Sequence, residues 1–313
     1  MKYRQIDVSK IKTYPVKERQ SKASMDSAAV PHSKGSSLAE FVKSLPGFLA
    51  AGDIRAVAAS VVAARKSGRP VILAMGAHPI KVGLSPIVID LMRRDIITAF
   101  ASNGASIIHD FEMSFMGRTS EDVARELCTG TFGMGEETGR LINAAITEGV
   151  GVGLGIGRSM GKFIDSSDFP GKDMSIFRET FRLDIPATVH VAVGSDIIHM
   201  HPEADGAAIG EGSLRDFRLL ASVVADLDGG VFINLGSAVI LPEVFLKALT
   251  VARNLGHKVE DFTTVNMDFI QHYRPRENVL KRPTMVRGRC YALTGHHEIM
   301  FPLLAAMIIE GME

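Results

Sequence analysis

The sequence predicts an α/β fold: a doubly wound, Rossmann-like parallel sheet with helices on both faces. Short apolar runs of strand length stand between helical stretches, as a sheet covered on both sides requires. The order strand, glycine turn, helix, strand occurs in each half of the chain, which is the grammar of βαβ units. At least four of the strand ends run into small-residue or glycine turns.

The first strand is Val71-Ile72-Leu73-Ala74-Met75, followed by Gly76-Ala77-His78-Pro79. A helix over Pro86–Arg94 follows, with Ser85 as its expected N-cap and Pro86 in the first turn, where a missing N–H costs nothing. A second strand is expected over Ile96–Ala101, ending in Ser102-Asn103-Gly104-Ala105. In the second half the expected elements are strand Ala187–Val193 with its turn Gly194-Ser195-Asp196, helix Ser213–Ala225, and strand Gly230–Asn234. That strand ends in Leu235-Gly236-Ser237-Ala238, and helix Pro242–Asn254, strand Thr263–Asn266, strand Met285–Ala292 and helix Ile299–Ile309 close the chain. The alternation of glycine and aliphatic residues from Gly149 to Gly157 reads as a close-packed contact, because glycine permits tight backbone approach.

Ahead of these elements, residues 1–36 are polar and carry little periodicity, the pattern of a flexible arm. Leu38, Phe41, Val42, Leu45 and Leu49 recur at helical spacing, so residues 37–313 are expected to form one α/β domain. The 313 residues suffice for a large core, and 46% hydrophobic with 22% charged residues is globular composition. Basic and acidic residues balance at 35 each, which gives no footprint for nucleic acid. Two cysteines, Cys128 and Cys290, supply neither a disulfide framework nor a zinc set. No apolar run has the length of a signal peptide or a membrane span. The expectation is a cytoplasmic protein with a small-molecule ligand, no membrane and no nucleic acid.

In an open parallel sheet ligands bind beyond the carboxyl ends of the strands. The turns named above lie there, and backbone N–H groups at such turns suit a pyrophosphate. His199-Met200-His201 follows the Gly194–Asp196 turn. On an extended segment both imidazoles would share a face, which suits either acid–base chemistry or a metal. The metal reading would make the chain a metal-dependent hydrolase, although no metal is the primary expectation.

The run Gly83-Leu84-Ser85-Pro86-Ile87-Val88-Ile89-Asp90-Leu91-Met92-Arg93-Arg94, the Asn103-Gly104-Ala105 strand end and His109-Asp110 resemble deoxyhypusine synthase. Ile185-Pro186, Leu235-Gly236-Ser237, Thr263-Thr264, Arg274-Pro275, Glu277 and Phe301-Pro302-Leu303-Leu304 extend the resemblance, in order, over about residues 70–310. It implies NAD as cofactor, an amine or polyamine substrate, and a homo-oligomer, tetrameric in that family. By the same resemblance the cofactor-binding residues would be Gly76, His78, Gly83, Ser102, Asn103, Gly104, Ala105, Gly194, Asp196, Gly236, Ser237, Thr264 and His296.

The departures are as specific as the matches. Counted without gaps between Arg274-Pro275 and Phe301-Pro302, the family's catalytic Trp-Gly-Lys falls on Lys281, Arg282 and Pro283, so its lysine is missing. The family's paired histidines become Pro242-Glu243, and its polyamine-binding acidic loop is replaced by Met267–Tyr273. What survives is an NAD-dependent transferase or dehydrogenase acting on an amine or polyamine, without deoxyhypusine synthesis itself. Its candidate catalytic groups are His199, His201, Glu243, Glu277 and Lys281. A non-catalytic nucleotide-binding oligomer is the alternative of another class.

Overall fold

A computed structural model describes residues 2–312; Met1 and Glu313, the outer ends of the expected arm and domain, lie outside the described residues. The chain forms two compact units, divided between Gly52 and Asp53.

In the first unit Tyr3, Ile6, Val8, Ile11, Tyr14 and Val16 are all exposed. Helix α1 (Leu38–Ser44) begins on a capping box, in which the Ser37 hydroxyl takes the Glu40 amide and Glu40 reaches back to Ser37. The helical spacing through Leu49 is interrupted after α1, since the residue before Pro46 is driven into extended backbone. Helix α2 (Leu49–Lys66) then leads into the second unit.

The sheet has six parallel strands: β1 (Val71–Met75), β2 (Ala99–Asn103), β3 (Ala187–His190), β4 (Val231–Leu235), β5 (Thr263–Asp268) and β6 (Arg289–Thr294). Their spatial order is β3-β2-β1-β4-β5-β6. The chain therefore winds one way from β1, returns, and winds the other way from β4. This is the doubly wound α/β fold, with its switch point between β1 and β4.

Helices α3 (His78–Lys81) and α4 (Ser85–Arg93) link β1 to β2, and α5 (Gly104–Met116) leaves β2. Four further helices precede β3: α6 (Val123–Leu127), α7 (Glu136–Gly151), α8 (Ile156–Ser166) and α9 (Ile176–Arg182). Helices α10 (Gly206–Ala225) and α11 (Ile240–Asn254) flank β4, and the short α12 (Tyr273–Pro275) continues as a π-helix over Arg276–Lys281. The last helix is α13 (His297–Met312).

The core on one face joins Ile72, Ala74, Ala101 and Phe232 of the sheet to Leu220 and Val224 of α10 and Phe245 and Leu249 of α11. Phe232 and Phe245 stack with centroids 3.8 Å apart. On another part of the sheet Phe100 meets Phe177 of α9 edge to face at 5.5 Å. Each such ring contributes about 1.5–3 kcal/mol by leaving water. Arg93 of α4 clamps the buried Glu179 of α9 through two bonds of 2.8 and 3.0 Å. The glycine run is close-packed at Gly149, Gly155 and Gly157, while Gly151 and Gly153 have open surroundings. A Cβ on Gly157 would strike the Ala187 carbonyl, and one on Gly149 the Ser159 side chain.

Several expected boundaries move. Ser85 is the first residue of α4, buried, and Leu84 holds the cap position without a side-chain bond. Ile96 and Ile97 are buried but return their amides to the Leu91 carbonyl, closing α4, so β2 starts at Ala99. Strand β3 stops at His190 because the Val191 amide goes to the Ser213 hydroxyl instead of a neighbouring strand. Strand β6 starts at Arg289, four residues later than the expected Met285, which is exposed along with Val286. No helix among the described residues is long and apolar enough to cross a membrane.

Candidate functional site

The carboxyl ends of β1 and β4 meet at the switch point. There a Cβ on Gly76 would lie 2.8 Å from the Gly236 carbonyl oxygen, so both turns must approach without a side chain between them. Gly236 has φ +70° and faces the His297 ring, which begins α13. His297 is buried beside His78, with ring centroids 5.5 Å apart. Its Nε2 lies 3.3 Å from the Met267 carbonyl and 3.9 Å from Asp268 Oδ1, while its Nδ1 has no partner. Burial lowers its pKa, and the nearby Asp268 opposes that shift. Beside it Asn234 donates to the Ser237 carbonyl at 2.9 Å and to Asn266 Oδ1 at 2.6 Å, leaving its own Oδ1 unpaired. His296 stacks on Phe269 at the open side of this crevice.

At the ends of β2 and β3, Asn103 caps α5 by accepting from the Ser106 amide at 3.3 Å. The next residue must be glycine, since a Cβ on Gly104 would overlap the Asp196 carboxylate. His199 Nδ1 accepts from the backbone N–H of Gly194 at 3.1 Å and of Asp196 at 3.3 Å. The proton of the neutral ring therefore sits on Nε2, which is unpartnered and 4.0 Å from the equally unpartnered Asp196 Oδ2. Both side chains are 7% exposed, and burial pushes the Asp196 pKa up.

A cavity of about 200 Å³ adjoins this point, lined by Lys81 of α3, Ile108, His109 and Glu112 of α5, Glu121, and Asp196. Glu112 accepts from the hydroxyls of Thr119 and, at 3.0 Å, Thr138. Thr119 gives its only proton to that carboxylate, so toward His109 Nδ1, 2.6 Å away, it can only accept. His109 thus carries its proton on Nδ1 and keeps a lone pair on Nε2. Burial, aided by the Lys81 charge, pushes its pKa down to about 4. The sequence neighbour Asp110 does not orient His109. It turns into the core to accept from the Ser175 hydroxyl at 2.5 Å and the Ile176 amide at 2.8 Å.

The expected site residues thus fall into separate groups. Gly76, His78, Gly236 and Ser237 come together at the switch point with His297, while His296 is exposed and stacks on Phe269; Ser102, Asn103, Gly104, Ala105, Gly194 and Asp196 lie at the neighbouring strand ends. Gly83 and Gly194 have open surroundings and φ near +80° to +90°. Thr264 is second in β5 and fully buried, well short of the strand's carboxyl end. His199 and His201 do not share a face, because the segment is a 3-10 turn (Ile197–Met200) rather than an extended one. His201 points instead to α7, its Nε2 2.8 Å from the Gly133 carbonyl and its ring over Gly139.

Glu243, Glu277 and Lys281 gather near α11 as half-buried and exposed ion pairs. Glu243 accepts from Lys247 and from Asn278 Nδ2 at 2.8 Å, with Arg274 3.4 Å away. Lys247 foremost holds its carboxyl below the usual range. Lys281 sits 3.7 Å from Glu277 on the π-helix. Four strand spacings, about 19 Å, separate β3 from β5, so the His199 group and the Glu277 group do not share one reaction centre. No group of three or more His, Cys, Asp or Glu among the described residues is placed to hold a metal ion.

No family model matches the chain, and no curated protein matches it. Solved structures do. An Entamoeba histolytica protein assigned as a deoxyhypusine synthase aligns over 90% of this chain and 96% of its own, at 13% identity and TM-score 0.52. A Methanococcus maripaludis S2 protein assigned as LOR/SDH aligns over 82% of this chain and 67% of its own, at 17% identity and TM-score 0.53. AgrE, in its ternary complex with ornithine and NAD+, aligns over 82% of this chain at 14% identity and TM-score 0.52. The chain spans 32% of the length of AgrE. What these proteins share with the chain is the fold, a Rossmann-like arrangement of helices on a parallel sheet.

Proposed function

We propose that the chain binds nicotinamide adenine dinucleotide along the carboxyl edge of its sheet and uses it to act on an amine. One observation carries this reading. Of the six buried side-chain atoms left without a partner among the described residues, four lie along that edge: Asn234 Oδ1, His297 Nδ1, Asp196 Oδ2 and His199 Nε2. Each unpaired buried polar group costs about 1–3 kcal/mol. A polar ligand seated at the edge can offset that cost, and it belongs there by the topology.

The residues fit the cofactor. The N-terminus of α5, with Gly104 and Ala105 free of bulky side chains, would take the pyrophosphate. His78, Ser237 and His296 would border the ring end at the switch point. Bound there, NAD supplies a hydride acceptor. His199, with its tautomer fixed by two backbone amides, would hold a proton at Nε2 beside the Asp196 carboxylate. AgrE, with ornithine and NAD+ in its complex, and the deoxyhypusine synthase-like structure support the pairing of this fold with amine chemistry. A homo-oligomer, tetrameric by the resemblance, belongs to the same proposal.

Calorimetric titration of NAD, NADH and NADP, with and without spermidine, tests the reading. The expected result is saturable NAD binding that an amine tightens. No binding by any dinucleotide overturns the cofactor assignment; binding indifferent to every amine tried overturns the amine assignment.

A further inference from the structure

The cavity beneath α5 has a charge layout of its own. Three carboxylates line it, Glu112, Glu121 and Asp196, against one cation, Lys81. Such an excess of negative charge favours a ligand bearing an ammonium group. The carboxylates are not equivalent. Both Glu112 oxygens are taken by threonine hydroxyls, and Glu121 Oε2 accepts from the Gly133 amide at 3.1 Å. Asp196 Oδ2 is buried and accepts nothing. It and the His109 Nε2 lone pair are acceptors prepared for an N–H donor.

Lys81 is the counterweight. It lines the same cavity and its charge is felt by His109, yet it makes no ion pair among the described residues. An unpaired ammonium across a small cavity from unpaired acceptors is the inverse image of a zwitterion. Between these poles the walls are apolar, with Ile108, Val123, Phe132 and Ile197. At about 200 Å³ the space is below the ~300–1,000 Å³ of drug-sized sites, so it suits a short aliphatic molecule.

We propose that this cavity binds a short aliphatic α-amino acid, its carboxylate on Lys81 and its ammonium between Asp196 and His109 Nε2. Glu112 and Thr119 are positioning residues: through the Thr119 hydroxyl, Glu112 fixes which His109 nitrogen faces the ligand. The proposal names the substrate class of the amine-acting reading and rests on that reading for the reaction, but not for binding.

The test is calorimetry without dinucleotide, using L-norleucine, L-lysine, 1,5-diaminopentane and hexanoate as probes. At least one of the two amino acids is expected to bind ten-fold or more tighter than the diamine or the fatty acid. Lys81→Met should remove that margin by weakening amino-acid binding ten-fold or more, while diamine binding stays as it was. Thr119→Val, which breaks the relay, should weaken amino-acid binding, and Thr119→Ser should restore it. Circular dichroism and melting of each variant separate lost binding from lost folding. A diamine that binds as tightly as the amino acids overturns the proposal, as does Lys81→Met binding them like the parent. A separate NAD titration keeps the two readings apart, since amino-acid binding without NAD binding overturns only the cofactor assignment, and the reverse overturns only this one.

Discussion

Gly104 shows how a residue without a side chain can be the most constrained in a site. Its Cα faces the Asp196 carboxylate, and an added methyl group has no space. Overpacking of this kind costs about 1–3 kcal/mol. Gly104→Ala is therefore expected to lower the urea unfolding free energy by that amount. It should also push the Gly194–Asp196 turn away from α5, weakening dinucleotide binding as well as stability. An alanine variant as stable as the parent, by urea melt, would show that the turn yields freely. The sequence displays this glycine in a small-residue turn but not the reason for it, because Asp196 arrives from 92 positions later in the chain.

At the scale of elements, Asp216 does the work of a missing strand. From α10 its carboxylate accepts the Gly157 amide at the start of α8 at 3.0 Å and the Val189 amide of β3 at 2.8 Å. Strand β3 is an edge of the sheet, so a side chain supplies an acceptor where no further strand does. Asp216→Ala leaves those buried N–H groups unpaired, and at about 1–3 kcal/mol for each should cost about 2–6 kcal/mol by chemical denaturation. Asp216→Asn, which keeps one acceptor, should cost less; equal losses would place the effect elsewhere.

The elements built on local pattern were legible in the sequence. Val71–Met75 is found as read, and the helices of the second half differ mainly at their starts. Where tertiary partners set the boundary, local pattern misplaces it. The short β3 and the late start of β2 both depend on amides claimed from elsewhere. The strand-end turns are legible as turns because glycine after an apolar run is a local signal. The relay from Glu112 through Thr119 to His109 is not, since it depends on how the segment after α5 folds back. Only the His109-Asp110 pair pointed to that place, and Asp110 faces the other way.

For the whole molecule, buried titratable groups set a pH dependence with a definite sign. Burial raises the Asp110 and Asp216 carboxyls to about 7. Their contribution to stability is full below the unfolded value near 3.8 and is lost as pH rises through 7. His109 and His190, lowered to about 4 by burial, act in the opposite sense, and their contribution is lost as pH falls from 6.5 toward 4. The two pairs oppose each other below pH 6.5. Between pH 6.5 and 8 the loss from the two aspartates exceeds what the unfolded-state histidines still return, so unfolding free energy should fall by about 1 kcal/mol. Asp110→Asn should remove most of that decline, leaving the stability of the variant nearly flat over this range. Urea melts of the parent across this range that show a flat or rising trend would contradict it.

The strand order has a consequence for how the chain is made. β1 lies at the centre of the sheet, and Val71 pairs with Val231, about 160 residues downstream. At ~5–20 residues per second, a ribosome leaves one edge of Val71–Met75 without its partner for about 8–30 s. Throughout that interval the nascent chain presents an apolar, unpaired edge of the type that invites aggregation. The switch point, where we propose a ligand, is thus the seam whose first strand waits longest for its partner.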